Sequence, residues 1–114
     1  MTLYVADASV VCRFLLVEDL SNKAELVLED FMKGSIDLAA PELLVYEVGN
    51  SLWKAFNQGL MSLGDVREKF SYFLNLGIRI VELAREDYEE VLAWSAKTGL
   101  TYYDGVYVLT CKKV

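Results

Sequence analysis

Histidine is absent from all 114 residues. That removes imidazole acid/base relays and His-ligated metal centres. No Gly-rich phosphate loop of the Walker or dinucleotide type occurs, so the common backbone cradle for nucleotides is missing too. Two cysteines, Cys12 and Cys111, are too few for a disulfide framework or a thiolate zinc site. Both sit among apolar residues, and the expectation is a pair of unbridged, buried small hydrophobes. No apolar run approaches the ~18–20 residues of a membrane span. The N-terminus lacks the basic, apolar and small-residue tripartite pattern of a signal peptide. Cytoplasmic residence is the resulting expectation. What the chain does have is carboxylate: 17 acidic against 11 basic residues, a formal net charge of −6. Hard oxygen donors suit Mg²⁺ or Mn²⁺. Such a chain repels nucleic acid unless a cation or a local basic patch intervenes.

Glycine punctuates the sequence into elements. "LYVAD" (residues 3–7) reads as a strand, with a helix beginning near Val10. Ser21 is a candidate N-cap for a helix whose stripe is Ala24, Val27, Leu28, Phe31 and Met32, closed by Gly34. "IDLAAP" is a short strand stopped by the only proline, Pro41. A helix runs from Glu42 to about Gln58. Ser62 and Asp65 match a capping box before the stripe Val66, Phe70, Phe73 and Leu74. "IRIVEL" is a third strand. Tyr88, Val91, Leu92 and Ser95 share a face of the next helix, ended by Gly99, and 103–114 form a last apolar helix. Strands alternating with helices predict one α/β domain over 1–114, a short parallel sheet covered on both faces. Ligands of such sheets bind beyond the carboxyl ends of the strands.

Three acids occupy unusual places. Asp7 lies at a strand end, where it or Ser9 can cap the next helix or bind a cation. Glu47 falls within or beside the apolar stripe Leu44, Val48, Leu52 and Ala55, with Asn50 one turn on. Either it is partly buried at a cost of several kcal/mol, or the stripe is rotated and Glu47 is solvated. Asp104 forms a capping box with Thr101 ahead of a nearly all-apolar run, which fits both a cap and a cation site. If the acids converge they need a counter-charge. Two carboxylates ~5 Å apart repel by ~3 kcal/mol at an effective dielectric of 20.

"VADASVV", "APELLVYEVGNSLWKA" and "GLTYYDGVYV", in that order, resemble the PIN domain, in particular the VapC-type toxins of prokaryotic toxin–antitoxin pairs. The resemblance covers nearly the whole chain. It implies a PIN-like three-layer fold and a Mg²⁺- or Mn²⁺-dependent endoribonuclease silenced by a cognate antitoxin. Asp7, Glu47 and Asp104 match the family's metal-binding and catalytic acids. Ser9, Thr101 and Asn50 match supporting positions. The implied reaction is attack of water on an RNA phosphodiester with help from the ion.

The pattern also departs from the family. PIN domains continue past the "YDGVY" helix into a further strand and a fourth acid, often as Thr-x-Asp, whereas this sequence ends at Cys111-Lys112-Lys113-Val114. The fold expected is therefore C-terminally truncated. The first strand should keep one unpaired edge, covered by a second copy or another chain. Lys54, Arg13, Lys112 and Lys113 are candidate phosphate contacts or scattered surface charge. Tyr102 and Tyr103 either stack on bases or pack. Two other readings compete. One is a catalytically impaired PIN-fold module that binds a protein partner. The other is an acyl-phosphate-forming Asp7 of the receiver or dehalogenase kind. Ser9 stands where the dehalogenase pattern wants a second Asp.

Overall fold

The computed structural model describes residues 2–16 and 22–114. Its elements follow the expected order: β1 (Thr2–Val5), α1 (Ala8–Leu16), α2 (Asn22–Met32), β2 (Ile36–Pro41), α3 (Leu43–Asn57), α4 (Leu63–Leu74), β3 (Arg79–Val81), α5 (Arg85–Thr98) and α6 (Tyr102–Lys113). The three strands form a parallel sheet in the order β1-β2-β3. The proposed Ser21 cap lies outside the described residues.

Central strand β2 explains the layering. Its side chains alternate between faces. Leu38 and Ala40 join a core with Val11 and Leu15 of α1, Leu44, Val48 and Leu52 of α3, and Val66 and Phe73 of α4. Ala39, fully buried, points the other way. A second cluster, Val91, Val106 and Leu109 with Leu43, Leu83 and Tyr102, belongs to α5 and α6, and α6 contacts both β1 and β2. Helices therefore cover both faces of the sheet. A parallel sheet buried on both sides tolerates the apolar run "LAAP" without alternation.

Helix ends follow local chemistry. Ser62 Oγ accepts from the Asp65 amide at 3.1 Å and starts α4. Gly99, at φ 77°, ends α5 in the left-handed conformation that glycine adopts without steric cost. On α3 the four expected stripe residues are the buried ones.

Several expectations need correction. Strand β3 spans three residues, not the six of "IRIVEL", because only Ala39–Pro41 of β2 offer partners. Leu92 and Leu74 are exposed. On α5 the buried face runs through Asp87 and Val91, turned away from Leu92 by close packing against α6. Cys111 is exposed near the end of α6 rather than buried, and Cys12 is half-buried; neither is bridged.

Gly105 explains how α5 and α6 approach so closely. A Cβ there would stand 2.8 Å from Val91 Cγ1 and 2.9 Å from Trp94 Cε3. Asp87 locks the same pair of helices. It accepts from the Ala84 amide at 2.6 Å and pairs with Lys113 at the far end of α6. Those bonds, the Lys113 one first, hold the Asp87 pKa below its ordinary 3.8.

Two outcomes follow. Helix propensity favours Ala over Gly by about 1 kcal/mol, but overpacking costs typically 1–3. Gly105→Ala should therefore lower stability by up to about 2 kcal/mol in a urea titration. A carboxylate with a depressed folded pKa adds stability above its unfolded pKa and loses it as pH falls through the folded one. The melting-temperature gap between wild type and Asp87→Asn should thus be widest near pH 6 and close progressively below about pH 4.

Candidate functional site

Strand β1 delivers Asp7 to the carboxyl edge of the sheet. The Ala6 amide still bonds to the Ala39 carbonyl at 2.8 Å, and the chain then turns into α1. Asp7 caps that helix: Oδ1 accepts from the Val10 amide at 3.0 Å and from Ser9 Oγ at 2.8 Å. The cap reading of Asp7 therefore holds, and Ser9 is an auxiliary to it rather than the cap. Both of these bonds use one oxygen of an exposed carboxylate.

Glu47 is half-buried on α3, beside the apolar stripe rather than turned to solvent. Its Oε1 accepts from the Tyr107 hydroxyl of α6 at 2.6 Å. Tyr107 was not among the residues picked out from sequence. A signal was present: Tyr107 lies three residues after Asp104, on the same helix face, and a partly buried phenol needs a partner for its polar tip. Burial first, then the Glu47 bond and the charges of Glu47 and Asp7, push the Tyr107 hydroxyl pKa well above its ordinary 10.0. The Ala8 amide reaches the same oxygen and opposes that shift. Tyr107 is therefore a neutral donor at any physiological pH. Its hydroxyl stands where α3, α6 and the β1–α1 turn meet.

Asp104 occupies the first turn of α6. Its amide donates to Thr101 Oγ1 at 3.1 Å, so Thr101 is the N-cap. An acid in that turn also faces the positive end of the helix dipole. The side chain of Asp104 itself is exposed, and burial begins at Gly105 and Val106. Asn50 is exposed one turn beyond Glu47. Tyr107 thus joins α6 to Glu47, with Asp104 one helical turn before it on α6 and Asp7 on the turn between β1 and α1. Among the described residues no three acids lie close enough to share one ion. Mg²⁺ is commonly held by only one or two carboxylates plus waters, so the donor set fits it.

A groove of about 450 Å³ opens beyond the carboxyl ends of β2 and β3, with Glu42, Tyr46, Glu82, Tyr88 and Tyr103 on its walls. Successive helix residues point about 100° apart, so Tyr46 and Tyr103 line it while Glu47 and Asp104 do not. Two carboxylates make this groove a poor bed for a phosphate backbone. Tyr102 is a packing residue: it is partly buried, and its hydroxyl donates to the Tyr88 carbonyl at 3.1 Å. Tyr103 keeps an exposed ring. Lys113 is committed to Asp87, and the Arg13 side chain lies outside the described residues.

The PIN domain family model matches residues 4–114. The chain belongs to the PIN domain family. Asp7, Glu47, Asp104 and every element after β1 fall inside the match. Similarity to a curated relative agrees: Ribonuclease VapC3 of Pyrobaculum aerophilum is 31% identical over 119 residues, an alignment covering 96% of this chain and 82% of the relative. That similarity sets this PIN domain beside the VapC-type members.

The two roles of Asp7 can be separated experimentally. Asn caps helices about as well as Asp, whereas Ala loses about 1 kcal/mol. Asp7→Ala should lower the melting temperature by about 4–8 °C, and Asp7→Asn should leave it within about 2 °C. Differential scanning calorimetry of the two variants checks this.

Proposed function

We propose that this PIN domain is a metal-dependent endoribonuclease of the VapC toxin type, held inactive by a cognate antitoxin. The observation that supports the reading is the hydrogen bond from the Tyr107 hydroxyl to Glu47, on a chain whose family match spans nearly its whole length. Asp7, Glu47 and Asp104 are the proposed donors to Mg²⁺ or Mn²⁺, directly or through water. The ion supplies Lewis acidity for an incoming water and for charge developing on the phosphorus. The protein's part is positional. Asp7 is held by its cap bonds to Val10 and Ser9, and the Thr101 cap starts the helix whose first turn bears Asp104. Asn50, exposed one turn beyond Glu47, has a supporting role in this reading. Cytoplasmic residence belongs to the same reading. Among the described residues no helix is long and apolar enough to cross a membrane.

A second reading has its own observation. Strand β1 pairs only with β2 among the described residues, and Tyr4 on it is exposed. An open strand edge invites pairing with another chain. In this reading the PIN fold serves as a binding module, through a second copy or a partner on β1, and chemistry is impaired.

The two readings part on one assay. In the first, purified protein cleaves RNA in Mn²⁺ or Mg²⁺, EDTA stops it, and Asp7→Asn or Glu47→Gln lowers the rate by about 100-fold or more, since several kcal/mol of charge stabilisation are lost. In the second, no divalent condition gives cleavage, and partner association survives Asp7→Asn. Gel-resolved cleavage of a labelled RNA, with size-exclusion light scattering on the same samples, reads both.

A further inference from the structure

Tyr107 stands out as a half-buried polar group whose bond runs to a candidate site acid rather than to its own helix. Thr110, one turn on, shows the ordinary alternative: its buried hydroxyl donates to the Val106 carbonyl of the same helix. The Tyr107 hydroxyl instead crosses from α6 to Glu47 on α3 at 2.6 Å, a separation of sixty residues along the chain. Helix α6 also contacts β1, the strand that leads into Asp7. One hydroxyl thus ties α6 to one of the three acids, on a helix that packs against the strand leading to another.

We infer that Tyr107 is a positioning residue for the divalent cation, fixing Glu47 through Oε1 and leaving its other oxygen to serve as a donor. The inference rests on the metal-dependent reading above and deepens it. A Glu side chain has three rotatable bonds before its carboxylate, and ordering them is an entropic cost of binding. A donor clamped on one oxygen meets that cost on folding instead. A phenol suits the task because it donates without adding positive charge. A Lys at this place would compete with the cation for the same carboxylates, whereas Tyr107 leaves their charge intact. The rigid ring, seated among the buried residues of α6, fixes where the hydroxyl can be.

The test is Mn²⁺ binding, read from the EPR signal of the free ion, on wild type, Tyr107→Phe and Thr110→Val. Phe keeps the ring and removes only the hydroxyl. Thr110→Val perturbs α6 without reaching the acids. Circular dichroism melts set a temperature at which all samples are folded; if Tyr107→Phe does not fold, Tyr107→Met takes its place. Loss of a group that orients a metal ligand typically weakens metal binding 10–100-fold. The expected result is a 10–100-fold rise in the Mn²⁺ dissociation constant for Tyr107→Phe and less than a twofold change for Thr110→Val. The Mn²⁺-induced rise in melting temperature should shrink in the same variant alone. Equal affinity in wild type and Tyr107→Phe overturns the positioning role and leaves the metal reading standing. Equal losses in both variants overturn it too, since they assign the effect to the stability of α6. Wild type that binds no Mn²⁺ overturns the metal reading and this inference with it.

Discussion

The seating of α6 is the constraint on which the site depends. On one side Gly105 lets the helix approach Val91 and Trp94 of α5. At its far end Lys113 is tied to Asp87. On the other side Tyr107 reaches Glu47. The first two contacts belong to packing and the third to the site, yet all lie on one helix of twelve residues. Rotating α6 to relieve the Gly105 contact would also swing Tyr107 away from Glu47 and move Asp104. Packing of α5 and α6 is therefore coupled to site geometry, although no residue of α5 belongs to the site.

Electrostatics sharpens the point. Bringing carboxylates together in a chain of net charge −6 costs a few kcal/mol per close pair. The structure offsets part of that cost with donors: Val10 and Ser9 on Asp7, Tyr107 on Glu47. All three donors are neutral. They satisfy individual oxygens but leave the summed negative charge in place. The two acids are thus held in place without being neutralised, as the proposed role for a divalent cation requires.

Much of this was legible in sequence for a simple reason. Strand ends, caps and apolar stripes are local, so "IDLAAP", the stripe Leu44, Val48, Leu52 and Ala55, and the caps at Ser62 and Thr101 emerge where their chemistry puts them. What stayed hidden depends on which helix faces which. The face of α5 turns on contacts with α6, so Leu92 read as core while Asp87 did not. Tyr107 is masked by its neighbours: within "VYVL" a tyrosine reads as one more apolar residue, and its partner Glu47 lies on another element. Glu47 itself read as ambiguous for the same reason. Its burial is decided by α6, not by its own helix.

Strand β1 carries the last step. It is one of the two edge strands among the described residues, and it leads into Asp7. In a parallel sheet neighbouring strands finish on the same side, so a strand added in parallel to β1 brings its own carboxyl end beside Asp7. Occupancy of that edge and composition of the acid site are then one question. An antiparallel addition would cover the same backbone groups but bring its amino end there instead. The edge is therefore more than an aggregation hazard to be shielded. The direction of whatever pairs with Leu3 to Val5 decides whether the site gains a further wall next to Asp7, and the PIN reading, with its sheet parallel throughout, favours the direction that does.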